Sequence, residues 1–180
     1  MPNDKKIETE VVLCEGEAEI FKEVLFSFSS PYPFYIEDVN VKLQNTELTV
    51  AKGKCDSVIF NGDLFINVIF KTIEGGALPG DGTVTVFGSM RHQTQIVPIG
   101  GCIDVDCEKL KKCDKDIYAK LVDICILENH ILQNPSLTLA GIPVYSELRE
   151  QVCIKIKAKV VSDEIVNINL DGKEDKCCEC

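Results

Sequence analysis

Apolar and polar residues alternate along most of this chain with a period of two. The clearest case is the segment 152–160, where Val, Ile, Ile, Ala and Val alternate with Cys and three Lys. Successive side chains of a strand point to opposite sides, so this period is typical of strands with one buried face. The segment is therefore predicted to be a strand with an apolar inner face and a cationic outer face.

Breaks in the alternation predict bulges. Residues 58–70 keep one parity across Asn61-Gly62-Asp63, which favours a bulge within one long strand over a hairpin turn. Between Ile117 and Ile126 the apolar residues expected to point inward change from odd-numbered to even-numbered positions, which also indicates a bulge. Residues 16–28 have some helical spacing, but Phe26 and Phe28 favour an extended segment. Further strands are predicted at 38–43, 83–87, 95–105, 117–127 and 165–170.

Turn residues separate these segments at spacings that suit a sandwich or barrel. They occur at 29–33, 52–54, 74–82, 100–101, 134–135 and 171–172. We predict an all-β fold, a β-sandwich of Greek-key-like topology over residues 16–170. An extended N-terminal arm (1–15) and a cysteine-rich C-terminal tail (171–180) flank it. The alternation in the arm leaves two possibilities open: pairing within its own sheet, or addition to the sheet of a neighbouring copy.

Composition narrows the function classes. A chain of 180 residues that is 45% hydrophobic and 27% charged is expected to fold as one domain rather than remain disordered. A net charge of -10 argues against nucleic acid and anionic membranes as partners. Residues 1–6 lead into polar sequence, and no apolar run approaches a membrane span. We therefore expect no signal peptide and synthesis in a cytosol.

The ten cysteines need an explanation, because cytosolic chains rarely keep disulfides. The spacing of Cys102, Cys107 and Cys113 does not match a zinc finger or ribbon, although a structural metal site stays an alternative. Cys125 and Cys55 fit the role of small core hydrophobes. The remaining cysteines are explained if their thiols stay reduced in the cytosol until the protein reaches an oxidising environment.

The tail cysteines predict bonds between subunits. Cys177, Cys178 and Cys180 lie too close together to pair with one another without strain. The polar lead from Asp171 gives them reach, so we expect one or more of them to bond another subunit. Cys14 on the arm and the outward-facing Cys153 are the candidate acceptors.

Catalytic chemistry has little support in the sequence. His92 and His130 are the only histidines, and neither lies in a protease, triad or cysteine-nucleophile motif. The glycines at 75–82 lack the lysine and helix start of a phosphate loop. Asp104 and Asp106 share a strand face and are interpreted as solvated charge rather than a calcium site. No catalytic, cofactor-binding or metal residue is predicted.

Two stretches, which follow one another in the same order as in the family, resemble the SPOCS domain family of endospore-forming bacteria. The first lies within Lys52–Phe70 and matches at Val58, Gly62, Leu64, Ile69 and Phe70. The second is Arg91–Ile99 with 102–105, and it matches at His92, Gln93, Val97, Pro98 and Val105. The segments Tyr118–His130 and Leu148–Val160 are similar to the closing hairpin of that family, so the resemblance covers about residues 30–162.

The resemblance implies a β-rich module of the spore coat and cortex that acts in morphogenesis and protein contacts. The chain lacks the C-terminal peptidoglycan-binding module of some members, and its cysteine load is unusual for the family. We therefore expect a non-catalytic structural protein of the spore surface that assembles with copies of itself and with other coat proteins. The alternatives are a low-copy morphogenetic adaptor that binds another coat protein, and a metal- or carbohydrate-binding module.

Overall fold

The computed structural model describes residues 4–51, 57–77, 85–105, 107 and 117–169. All regular structure in these ranges is extended, and no helix long and apolar enough to cross a bilayer occurs there. The strands are β1 (Asp4–Ser27), β2 (Pro33–Ala51), β3 (Ser57–Thr72), β4 (Gly75–Ala77), β5 (Thr85–Phe87), β6 (Met90–Asp104), β7 (Ile117–Leu137) and β8 (Pro143–Asn169).

Six of these strands form two antiparallel three-stranded sheets with the orders β1-β8-β7 and β2-β3-β6, and β4 pairs with β5 alone. Contacts between the two larger sheets join β1 to β6 and β2 to β7 and β8. The sheets therefore lie face to face with β8 and β3 at their centres. This confirms the predicted all-β sandwich, whereas the Greek-key detail stays a prediction.

The core lies between the two central strands and follows the predicted parity. The inner face of β3 is buried from Val58 to Phe70, and that of β8 from Leu148 to Val160. Burial of each Val, Leu, Ile or Phe side chain on these faces contributes about 1.5–3 kcal/mol relative to exposure. The alternation read from the sequence therefore places the core correctly.

One bulge lies on the strand beside the predicted position. β3 runs unbroken through Asn61-Gly62-Asp63, as predicted, but the extra residue is on β2, between Gln44 and Glu47. A Cβ at the buried Gly62 would lie 3.3 Å from the carbonyl oxygen of Gln44. The partner strand makes room by bulging there, with Asn45 at a φ of 51° and its amide donating to Asp63 Oδ2 at 2.8 Å.

The bulge predicted in β7 is confirmed at Val122, where the pairing with β8 shifts between Leu121 and Asp123. Two predicted turns are wrong, since 100–101 lies inside β6 and 134–135 inside β7. Gly100 marks a close approach instead, because a Cβ there would meet the side chain of Asn61 at 2.9 Å. The β7–β8 turn follows at 138–142, where Gly141 has a φ of +75°.

A close crossing joins the two sheets where β6 ends. A Cβ on Gly16 of β1 would lie 2.2 Å from the carbonyl oxygen of Asp104 and 2.8 Å from Val105. Only glycine leaves room for the chain to pass over β1 at this point. Directly beyond the crossing, Cys107 forms a disulfide with Cys14, whose Cα atoms are 5.5 Å apart.

Residues 4–15, predicted as a separate arm, form the first half of β1 and pair with β8 of the same chain. The own-sheet alternative is therefore the one observed. The β1–β8 ladder extends past Ile117, where the described part of β7 begins, and ends at Asp4 and Asn169. The tail 171–180 lies outside the described residues.

Candidate assembly faces

Cys14 is not available to another subunit in this structure. The residue follows the bulge between Val12 and Cys14, its side chain is buried, and its sulfur is bonded to Cys107 of the same chain. This corrects the expectation that Cys14 accepts an intersubunit bond. The bulge explains the difference, because it turns Cys14 toward the core side, where the chain leaving β6 passes.

The outer surface of the β1-β8-β7 sheet carries two free cysteines, and we call it the thiol-pair face. Cys153 lies at its centre on β8, with Phe21 of β1 and Leu127 of β7 directly opposite it on either side. Those two apolar side chains are 65% and 54% exposed. A cysteine flanked by exposed apolar groups on a flat sheet surface is typical of a contact region. The outward direction predicted for Cys153 is confirmed.

Cys125 also lies on the thiol-pair face, exposed, so its interpretation as a core residue is wrong. The bulge at Val122 turns the even residues that follow it inward, and Cys125 therefore points outward. The parity change read from the sequence already implied this direction. Cys125 lies opposite Lys155, which makes the two thiols diagonal neighbours. Diagonal residues are about 7–8 Å apart, too far for a disulfide without backbone movement.

Ion pairs neutralise most charge on the thiol-pair face. Glutamates of β1 pair with cations of β8 and β7, namely Glu19 with Lys155 and Glu15 with Lys157 (both 2.7 Å), Glu10 with Lys159 (2.8 Å) and Lys120, and Glu23 with Arg149 (3.6 Å). The Lys157 hydrogen bond lowers the pKa of Glu15, and the Glu15 hydrogen bond raises the pKa of Lys157. In a chain of net charge -10, this face therefore opposes the approach of another copy only weakly.

Lys155 links the two thiols electrostatically. Its pKa is raised chiefly by the hydrogen bond to Glu19, and the neighbouring Cys153 and Cys125 raise it further. The ammonium of Lys155 thus lies beside both thiols of the thiol-pair face. Beside them an open groove of about 370 Å³ is lined in part by Glu19, Cys125 and Lys155.

The opposite surface of the sandwich carries one exposed free cysteine among the described residues, and we call it the Cys102 face. Cys102 lies on the edge strand β6, opposite Ile59 of β3, which is 40% exposed. Ile103 beside it points inward and is buried, which fixes the outward direction of Cys102. Free thiols therefore occupy both outer faces of the molecule.

The surroundings of Cys102 are open and acidic. Gly100 and Asp104 are the next residues of β6 on the same side, and both are exposed. Ser57 donates a hydrogen bond of 3.4 Å to Asp104. The side chain of Asn61 on β3 covers Gly100, since a Cβ there would lie 2.9 Å from the amide oxygen of Asn61. The thiol on this face thus has a carboxylate beside it, whereas the thiols on the other face have an ammonium.

One buried ionisable group escaped the sequence reasoning. Glu150 lies on the inner face of β8 with 0% exposure, and neither carboxyl oxygen has a hydrogen-bond partner. Burial, with a further contribution from Glu128 of β7, raises its pKa to about 7. His130 lies opposite Glu150 in the ladder. The alternation Leu148, Glu150, Val152 already placed this carboxyl inward.

Within the described ranges, no group of three or more His, Cys, Asp or Glu side chains is arranged to hold a metal ion. Of the three cysteines weighed as metal ligands, Cys102 is exposed, Cys107 is buried in the bond to Cys14, and Cys113 lies outside the described residues. Cys55, Asp106 and the predicted tail cysteines Cys177, Cys178 and Cys180 also lie outside them. His92 is exposed on β6.

No family model matches the chain, and neither a curated protein nor a solved structure is detectably similar to it. The resemblance to the SPOCS family therefore stays a prediction that depends on the residues given above.

Proposed function

We propose that this protein is a non-catalytic structural subunit of the bacterial endospore surface, which assembles with its own copies and is fixed by intersubunit disulfides. The observation that carries the proposal is the placement of free, solvent-accessible thiols on both outer faces of one sandwich. A subunit with reactive groups on two opposite surfaces can join two neighbours at once. Such a subunit forms a layer or fibre rather than a closed pair.

The chemistry of the cysteines supports permanence as the role of these thiols. A disulfide persists where reversible contacts between surfaces would dissociate. A mother cell makes spore proteins in a reducing cytosol and later lyses, which exposes them to air. Thiols that are free during synthesis and accessible afterwards fit that sequence of events.

Assembly of the purified chain is the direct test. We expect negative-stain electron microscopy to show regular filaments or sheets after exposure to oxygen, and smaller particles after reduction with dithiothreitol. Non-reducing gels of the same samples should show a ladder that collapses to the monomer with reductant. A chain that forms no bond between subunits in air and stays monomeric would contradict the proposal and favour the adaptor, which is expected to remain single without its partner.

Location is tested separately, because assembly alone does not place the protein on a spore. Antibodies against the chain should label the surface of intact spores in immunogold micrographs, with labelling lost in a deletion strain. Labelling confined to vegetative cells would contradict the proposed location and leave the assembly result in force.

A further inference from the structure

We propose that copies of this chain stack with the Cys102 face of one against the thiol-pair face of the next, joined by a disulfide from Cys102 to Cys125 or Cys153. This inference rests on the proposed function and specifies which surfaces meet. The two faces lie on opposite sides of the sandwich, so each copy offers one of each kind. A contact between unlike faces repeats from copy to copy and produces an open chain.

Charge favours contact between unlike faces over contact between two Cys102 faces. Lys155 lies beside both thiols of the thiol-pair face, and Asp104 is two residues from Cys102 on the same side of β6. When Cys102 approaches the thiol pair of another copy, this carboxylate approaches that ammonium. Contact of two Cys102 faces would instead bring Asp104 toward Asp104, a like-charge contact that disfavours the symmetric pairing.

Apolar surface also permits this contact. The exposed Ile59 provides apolar area next to Cys102, while the side chain of Asn61 covers Gly100 beside it. On the thiol-pair face, Phe21 and Leu127 flank Cys153 with exposed apolar groups. Stacked sheets lie about 10 Å apart, a gap that disulfides bridge in immunoglobulin domains.

The bond forms by two thiol–disulfide exchanges with a small-molecule disulfide as the oxidant. Cys102 first attacks oxidised glutathione, which leaves a mixed disulfide and releases one glutathione thiol. A thiolate beside Lys155 on the next copy then attacks the Cys102 sulfur and releases the second glutathione. Two protein thiols thus lose two protons and two electrons, and one glutathione disulfide is reduced to two thiols.

A five-serine variant isolates the thiols of the two faces. It is the full chain in which cysteines 55, 113, 177, 178 and 180 are replaced by serine, so that Cys14 and Cys107 keep their bond. We expect oxidised glutathione to convert this variant into a ladder on non-reducing gels. In the same background, C102S and the double variant C125S/C153S should each stay monomeric. An equimolar mixture of the two should stop at a dimer, because each member offers one competent face.

Two outcomes overturn the stacking alone. One is a dimer formed by C102S alone, which would show that the thiol-pair face joins itself. The other is a five-serine variant that stays monomeric while the unaltered chain polymerises, which would place the bonds in other cysteines and leave the proposed function standing. If the unaltered chain also stays monomeric, the stacking and the proposed function both fail.

Charge reversal tests the same contact with every face thiol intact. In the five-serine background at low salt, K155E and D104K should each slow ladder formation several-fold. Combined in one chain, the two reversals should restore most of the rate, because the opposite charges again meet. A double variant as slow as the single ones would overturn the charge pairing. Far-UV circular dichroism confirms that each variant keeps its strands.

Discussion

β3 and β8 are the central strands of two facing sheets, and they line one core with different inner faces. The inner face of β3 is apolar from Val58 to Phe70, whereas β8 places Glu150 between the buried Leu148 and Val152. Packing alone accounts for β3. β8 combines packing with a carboxyl that loses its hydration when the protein folds, so the stability contributed by this strand depends on pH.

The largest expected effect tests whether the two strands are equal where both are apolar. Phe60→Ala on β3 and Ile154→Ala on β8 each remove a fully buried side chain, so they should lower the free energy of unfolding by about 3–5 and about 2–5 kcal/mol respectively. Urea denaturation measures the change. Ile59→Ala, at a partly exposed neighbour, is the control and should cost far less. Little effect of Ile154→Ala would show that β8 packs more loosely than β3.

The bond between Cys14 and Cys107 should be nearly as important, because it ties β1 of one sheet to the chain leaving the other. Its sequence separation is 93 residues, so removing it frees a large loop in the unfolded state. Cys14→Ser should lower the free energy of unfolding by about 3–4 kcal/mol under oxidising conditions. Cys125→Ser is the matched control and should leave stability unchanged. Equal melting temperatures for C14S and the parent would contradict the bond in solution.

The carboxyl of β8 predicts a pH dependence that β3 cannot produce. Folded Glu150 holds its proton up to about pH 7, whereas the unfolded chain releases it near the ordinary value of 4.5. Between these values the folded state binds more protons, so rising pH lowers the free energy of unfolding. The loss is absent below pH 4.5, complete above pH 7, and amounts to about 3 kcal/mol.

Glu150→Gln removes this titration and should flatten the dependence of stability on pH between 4.5 and 7. Urea titrations at several pH values measure it, with the exposed Glu17→Gln as the control that keeps the slope. An unchanged slope in E150Q would assign the pH dependence to Glu128 of β7, whose pKa is also raised by burial.

The smallest expected effect concerns the outer face of β8. Lys157→Ala removes an exposed ion pair with Glu15 and should cost less than about 1 kcal/mol, with the difference shrinking in high salt. A loss as large as that of Ile154→Ala would mean that the outer charges, rather than the inner face, hold β8 in place. Thermal denaturation at two salt concentrations separates these outcomes.

Strand parity made most of the fold predictable. The alternation around Ile154 and Leu64 located both central strands, and the parity change before Ile124 located a bulge. The same rule, followed further, places Cys125 outside and Glu150 inside. Residue type points the other way at both positions, because cysteine is common in cores and glutamate at surfaces, so the core role predicted for Cys125 is wrong and Glu150 was not predicted.

Features that depend on distant parts of the chain were out of reach. The pairing of Cys14 with Cys107 requires the crossing at Gly16, which no local pattern encodes. The Gly100-Gly101 pair is typical of a turn, yet it serves a close approach within a ladder. The opposite placement of Cys102 and Cys153 follows only from the sheet orders, which alternation does not specify.

The pairing of β1 with β8 has a consequence for synthesis. β1 is made first, and among the described strands its only ladder partner is β8, which is made after all the others. Until β8 has been translated, β1 lacks its ladder partner and the apolar face of β3 lacks the strand that packs opposite it. We therefore expect folding to complete only after β8 has left the exit tunnel, and nascent chains to need protection from one another until then.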